Sequence, residues 1–358
     1  MQGSHKNAAI STRLVIRGNI MNIAKSICKP ALLGLAISSL ALPEIAGAGD
    51  IKWNGFLNAV GSISDSETLY LGEINEDGSF DATSFGFAGS ARINAKVSVA
   101  GQLHMSSGGV EYDWGYAQYR FSESSSGKAG RMKYPNGLVS ETFDIGVTNI
   151  WVRPPESIYG GTVELMFEGY NGAAFNFVTG DDVEFSTELY LGDIDTEDEE
   201  FKKMLGLVLK AEAENFTVKL AATSSTLFTA NPAAPENDKT QTSYNLGVDV
   251  DLEVLRVMFE YVSLSIEDNS NLDKDSWYIT LAHTADTWTP HFTYQSYETV
   301  TGGAEQTSFT LGLNKQLDPS VVVKMEYQQV DPTNGGLFDA QPTDSTVNFI
   351  NLSMNLVF

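Results

Sequence analysis

Thr346-Val347-Asn348-Phe349-Ile350-Asn351-Leu352-Ser353-Met354-Asn355-Leu356-Val357-Phe358 closes the 358-residue chain, and its reading decides the fold. Ile350, Leu352, Met354, Leu356 and Phe358 fall on one parity, against Asn351, Ser353, Asn355 and Val357 on the other. A strand here is therefore apolar on one face and mostly polar on the other. Such a terminal strand needs a partner. In a chain with an export signal and no long apolar helix, that partner is the first strand, because a sheet closed on itself leaves no unpaired edge inside a bilayer. A soluble sandwich that happens to end on this strand is the competing reading.

The export signal lies at the other end. Lys25 and Lys29 precede an apolar run from Ala31 to Leu42, and Ala46-Gly47-Ala48 supplies a small-x-small cleavage pattern, so residues 21–48 read as a secretory signal peptide. The run is shorter than the ~20 apolar residues of a membrane-spanning helix. Met21 serves as a natural start, which leaves residues 1–20 as an upstream extension. Residues 49–358 form one unit, with no linker that would divide it.

The full chain carries 22 Lys plus Arg against 46 Asp plus Glu, a net charge of −24. Cleavage after Ala48 takes away five bases (Lys6, Arg13, Arg17, Lys25, Lys29) and one acid (Glu44), which moves the charge from −24 to −28. Nucleic acid is excluded as a partner, since its binding needs clustered positive charge. Cys28 is the only cysteine and leaves with the signal. Without disulfides, a large hydrogen-bonded sheet must hold the exported chain together.

Period 2 runs through nearly all of the remaining chain. Ile51, Trp53, Leu57 and Ala59 alternate with Lys52, Asn54 and Asn58, although Phe56 breaks the parity. The alternation from Phe85 to Met105 is too long for one crossing of about 9–11 residues, so it must fold back near Asn94. Further strands read over 112–121, 127–133, 164–179, 183–192, 201–213, 216–227, 240–252, 254–265, 275–285, 290–299, 306–315, 320–330 and 346–358. The count is sixteen, an even number that puts both termini on one side. Short connections near Asn94, at 122–126, 180–182, 214–215, near Glu253, at 286–289 and at 316–319 alternate with longer ones at 63–82, 107–110, 134–163, 193–200, 228–239, 266–274, 300–305 and 331–343. A barrel inserted from one side has this rhythm, and a soluble sandwich or propeller has no reason for it.

Charged positions such as Lys210, Glu212, Asp249, Asp251, Arg256, Glu260, Lys324 and Glu326 share the polar parity, opposite runs such as Leu205-x-Leu207-x-Leu209. At mid-depth against lipid a Lys or Arg would cost roughly 2–4 kcal/mol, so these residues should line water.

Sixteen strands, a signal peptide, a closing Phe358 and a long third loop together resemble the Gram-negative general porin family over essentially the whole of 49–358. Ser84-Phe85-Gly86-Phe87-Ala88-Gly89-Ser90 is similar to that family's second-strand Gly-Phe-x-Gly pattern. Gly127-Lys128-Ala129-Gly130-Arg131 is similar to the end of the strand that enters its third loop, shortened by two residues. The usual signature inside that loop is not recognisable here. The resemblance implies an all-β transmembrane barrel of about 16 strands whose third loop folds into the pore opposite a basic wall. Carried over by position, the constriction would be Arg92, Lys96, Arg120 and Arg131 on the wall, facing Glu141, Asp144, Arg153 and Glu156 on the loop. Opposed charges there would set a transverse field across a narrow opening. Ordinary surface charge on an external loop is the alternative for each loop acid.

The resemblance further implies a homotrimer in the outer membrane, contact with membrane lipid and lipopolysaccharide, and recognition of Phe358 by the barrel-assembly machinery. Small hydrophilic solutes and ions would pass without any enzyme reaction or cofactor, and acids crowded on the long connections, Asp65, Glu67, Glu73, Glu76, Asp77 and Asp81 among them, would outweigh the basic wall and give a mild cation preference. His104, His283 and His291 sit in no metal or nucleophile motif. The Glu73-x-Asn75-x-Asp77-Gly78 stretch lacks the final Glu of a calcium loop, having Ser84 there. Asp193, Asp195 and Glu197, in a run of six carboxylates, are the residues a weakly held divalent cation would use, and a solvated acidic loop is the simpler account. A receptor or adhesin acting through acidic external loops is the other functional reading.

Overall fold

The computed structural model describes residues 51–160, 169–196, 199–299 and 303–358. The expected extension (1–20) and signal peptide (21–48) lie outside the described residues. The first eight strands are β1 (Lys52–Ser64), β2 (Ser84–Arg92), β3 (Val97–Ser106), β4 (Gly109–Arg120), β5 (Ser125–Met132), β6 (Tyr170–Thr179), β7 (Glu184–Asp195) and β8 (Glu199–Ala213). The second eight are β9 (Phe216–Thr229), β10 (Lys239–Asp251), β11 (Leu255–Ile266), β12 (Lys274–His283), β13 (Trp288–Thr299), β14 (Glu305–Asp318), β15 (Val321–Thr333) and β16 (Val347–Val357). Each pairs antiparallel with its sequence neighbours, and β16 returns to β1, so the sheet is a closed barrel.

The closure has the expected register, with Ile63 opposite Ile350 and Leu57 opposite Leu356. Beyond the last strand, Phe358 and Gly55 exchange both backbone hydrogen bonds, at 2.9 and 3.0 Å. The Phe358 ring fills the space where a side chain on residue 55 would stand.

Burial is inverted relative to a soluble protein. Ile350, Leu352 and Met354 are 44–50% exposed, whereas Asn351, Ser353 and Asn355 on the opposite face are 5% exposed or less. The same inversion holds for exposed Leu205, Leu207 and Leu209 against buried Glu260, Lys324 and Glu326. Apolar rows thus face outward and polar rows inward, the arrangement a lipid-facing wall requires.

Phe56 departs from the expected alternation because it is an inward residue. It is fully buried, and its ring occupies the place a side chain on Gly86 would take. On the outer face of the same two strands, Trp53 covers Gly89 and stacks on Phe87 at 5.1 Å. These close approaches account for both glycines in the Gly86-Phe87-Ala88-Gly89 stretch.

The chain folds back over 93–96, as the length argument required. The acidic stretch 193–200 is less of a loop than expected. Asp193 and Asp195 end β7, and Glu199 and Glu200 begin β8, because Ile194 and Phe201 pair across the hairpin and are buried. At the end of the barrel away from the termini, Tyr70 and Ile74 of one connection pack with Leu337 and Phe338 of another and with Phe349 of β16. Tyr70 accepts a hydrogen bond from Gln306 Nε2 at 2.8 Å. Burial, and then the nearby Glu156 carboxylate, push its phenol well above the ordinary tyrosine range.

Candidate functional site

The connection after β5 is the longest in the barrel, and its described part, residues 133–160, is tied to inward side chains of distant strands. It begins at a buried charge cluster. Lys133 Nζ lies 2.8 Å from Asp113 Oδ1 on β4 and 3.7 Å from Asp144 Oδ2 further along the connection. Gln102 Nε2 donates to the other Asp113 oxygen at 2.6 Å. A buried carboxylate and ammonium are tolerable only when paired and hydrogen-bonded in this way.

The segment then reaches β7 and β9. Asn136 Nδ2 donates to Thr223 Oγ1 at 2.6 Å, Tyr190 OH donates to Asn136 Oδ1 at 2.6 Å, and Lys219 Nζ donates to the Gly137 carbonyl at 2.7 Å. Next it meets β11, where Glu260 receives the Leu138 backbone N–H at 2.7 Å and Tyr159 OH at 2.8 Å. Burial first, and Glu260 second, hold the Tyr159 phenol well above its usual range, so it stays a donor.

On the far side, Trp151 Nε1 donates to Thr280 and Thr293 at 3.1 and 2.9 Å. Glu326 of β15 accepts the Val152 N–H at 2.7 Å, and Asn314 Nδ2 donates to the Ile150 carbonyl at 2.7 Å. Lys324 holds three carbonyls at once, those of Gly146, Asn149 and Trp151, at 2.7, 2.7 and 2.6 Å. The segment finally touches β1, where Asn58 Oδ1 accepts the Gly146 N–H at 3.1 Å. A side chain on Gly146 would run into Asn58 and Asn355, so only glycine allows this approach. A single helical turn, α1 (Glu156–Tyr159), completes the described stretch, with Glu156 Oε2 receiving Gln295 and Gln328 at 2.9 Å each.

The expected site residues are distributed differently from the expected opposition of wall and loop. Arg92 and Arg120 end β2 and β4, exposed, at the short-turn end of the barrel. Lys96 is not on the wall at all. It sits in the turn between β2 and β3, with its ammonium 5.9 Å from the outward Tyr119 ring. Arg131 shares a register row with Gly115 and Asn171, the row that carries the exposed Phe175 and Phe177, so it faces outward. A bulge lies beside it. Gln102 pairs with Trp114 and Leu103 with Tyr112, which leaves Asp113 as an extra residue, and Arg131 Nε binds its carbonyl at 2.8 Å. Lys128 is the inward base of that strand, 3.7 Å from Glu188.

On the loop, Asp144 is buried beside Lys133, and Glu156 is buried among Gln295, Gln328 and Arg153. Arg153 also approaches Glu73 at 3.8 Å. Glu141 lies at a cavity of about 90 Å³ shared with Lys210, Glu212, Asp249 and Arg256. In the acidic stretch, Lys202 pairs with Asp195, and Asp193 Oδ1 accepts the Lys203 N–H at 3.0 Å. Glu197 lies outside the described residues. Of the residues that hold the segment, Glu260, Lys324 and Glu326 were legible only as charges on a polar parity, and nothing in the sequence singled out Asp113 or Lys133.

A family model described as Gram-negative porin matches residues 40–335. The chain belongs to the Gram-negative porin family. Solved structures similar to this porin include OmpF of Salmonella typhi in complex with daunomycin, at 13% identity and a TM-score of 0.61, covering 86% of this chain and 97% of that one. The outer-membrane protein OmpT of Vibrio cholerae aligns with a TM-score of 0.60 at 12% identity, over 89% of this porin and 100% of its own length. An anion-selective porin from Comamonas acidovorans gives 0.60 at 8% identity, over 86% and 99% of the two chains. At such identities the likeness is one of fold. No curated protein matches the sequence.

Proposed function

We propose that this porin forms a water-filled channel in the outer membrane, through which small hydrophilic solutes and ions diffuse passively and without any enzyme reaction, and that residues 133–160 cross the lumen and narrow it. The observation that carries this reading is the set of hydrogen bonds from one connection to inward side chains on β1, β7, β9 and β11 to β15, strands that surround the interior. A connection leaving β5 reaches all of them only by passing through the inside of the barrel. On the short-turn side of the segment the route then runs past Lys128, Glu188, Lys210, Glu212, Asp249 and Arg256.

Those charges are mutually paired, Lys128 with Glu188 at 3.7 Å, Lys210 with Glu212 at 2.5 Å and Arg256 with Asp249 at 2.6 Å. Paired charges leave little net field, so the acids of the long connections, Glu67, Glu76, Asp77 and Asp81 among them, decide the balance. We assign the channel a mild cation preference on that ground, the same preference that the acids of the long connections lead the sequence to expect. Export through a cleaved signal, a homotrimeric assembly, contact with lipopolysaccharide and recognition of Phe358 during assembly belong to the same reading.

Removal of residues 143–152 tests it in planar bilayers. A crossing segment gives larger conductance and admits larger polyethylene glycols when shortened. An unchanged size limit in a folded variant would place the segment elsewhere and refute the crossing. A folded wild-type barrel with no stable current would instead favour the receptor reading.

A further inference from the structure

Between the crossing segment and the short turns at 214–215 and 252–254 lies the cavity of about 90 Å³. Leu138, Val139, Ile150, Trp151 and Met258 give it an apolar side. The charged residues around it are Lys210, Lys219 and Arg256 against Glu141, Glu212 and Asp249, three of each sign. Two of the pairs are already made. Lys210 meets Glu212 at 2.5 Å, and Arg256 donates to both oxygens of Asp249 at 2.9 and 2.6 Å. Thr217 stands between the two carboxylates in the register, opposite Glu212 on one side and Asp249 on the other.

We propose that this cavity is a solute-binding subsite for small zwitterions, α-amino acids with short aliphatic side chains, which occupy it on their way through the channel. The inference rests on the porin reading and names a solute class for it. Charge balance selects the class. An anion that drew Lys210 and Arg256 toward itself would strip Glu212 and Asp249 of their partners, and a cation would do the reverse to the bases. Leaving one half of a partly buried pair uncompensated is costly. A solute carrying both charges replaces both halves of the Arg256–Asp249 pair in kind, its carboxylate meeting the Arg256 fork and its ammonium lying between Asp249 and Glu212, while Lys210 stays on Glu212. A neutral sugar would compete with ready-made ion pairs and gain nothing from them.

Size and apolar lining narrow the class further. A water position needs roughly 10–15 Å³ on this measure, so the cavity accepts a solute of about six to nine heavy atoms. Alanine and valine lie within that range. Their methyl groups would rest on Leu138, Val139, Ile150 and Met258, while larger aromatic amino acids exceed the space.

The test is isothermal titration of the folded full-length porin in detergent with L-alanine and L-valine, run beside single-channel recording in KCl. Isobutylamine, isobutyrate and glucose serve as controls. Saturable binding of the two amino acids, with the single-charge analogues at least about tenfold weaker, is the expected result. Glu212→Gln should weaken amino-acid binding by about tenfold, and Glu214→Gln, in the exposed turn beside it, should not. Any variant is first checked for the folded band in unheated gels. Should Glu212→Gln fail to fold, Thr217→Val, which removes a hydroxyl between the two carboxylates, takes its place with the same expectation. Equal binding of the single-charge analogues, or no saturable binding of alanine and valine, overturns the subsite. If KCl current persists in that case, the channel reading survives and only the subsite falls; if current is absent as well, both fall.

Discussion

Lys324→Met removes the single ammonium that holds three carbonyls of the segment 133–160, at Gly146, Asn149 and Trp151. Hydrogen bonds to a charged group contribute about 1.5–3 kcal/mol each, which sets an upper bound of about 5–9 kcal/mol for the three. Two effects reduce it. The wild-type ammonium bears several kcal/mol of desolvation that methionine does not, and the freed carbonyls find water in a wet lumen. A net loss of about 3 kcal/mol for the docked segment is the resulting expectation, at the lower end of what removal of one partner from a buried charged network costs. Converted at 1.4 kcal/mol per decade, the undocked population rises roughly 100- to 200-fold. Asn314, Glu326 and Trp151 still hold the same stretch, so the barrel itself stays folded. Single-channel recording should show a new high-conductance substate or frequent excursions to it. The same mutation with wild-type conductance and noise, in a protein that keeps its heat-modifiable band, would refute the claim that Lys324 clamps the segment inside the lumen.

Three further outcomes follow from the same geometry. Deleting Phe358 removes the two backbone bonds to Gly55 and the ring over it, and Phe358→Asp removes the ring and puts a charge in its place; folded protein in outer membranes should fall sharply in both, and a normal yield would count against the closing role of that residue. Gly86→Val drives a side chain into the Phe56 ring and should lower stability by about 1–3 kcal/mol, read as an earlier loss of the folded band on heating, with Phe56→Ala restoring part of it. Reversal potentials in dilute KCl should show mild cation preference that fades as salt rises, because mouth acids act over about 8–10 Å at physiological ionic strength and less in stronger salt; anion preference would return control to the basic residues of the wall.

Much of the fold was legible because membrane strands repeat at period 2 and carry their environment in that period. The turn at 93–96 came from length alone, and the closing pair from the need to leave no edge. Bulges were not legible. The extra residue Asp113 costs nothing in a sequence pattern, yet it puts Tyr112 and Gly115 on the same face of β4, and Arg131 pairs with Gly115 on that outward row. Lys96 was misplaced for a simpler reason, since an alternation can run on through a tight turn. The path of the segment was hidden because its partners lie far apart in sequence. Lys219 binds the Gly137 carbonyl, and Glu326 the Val152 N–H, across separations no local pattern records. The polar parity showed that Lys324 and Glu326 face the interior, but only the folded chain pairs them with backbone groups of residues 146–152.

The most direct measurement is single-channel current through the purified, folded chain in a planar bilayer, with polyethylene glycols of graded size added to both sides. A porin narrowed by residues 133–160 gives stable, ohmic steps that small glycols reduce and larger ones leave unchanged, with a sharp limit between them. No stable steps, or steps reduced alike by glycols of every size, would contradict the account.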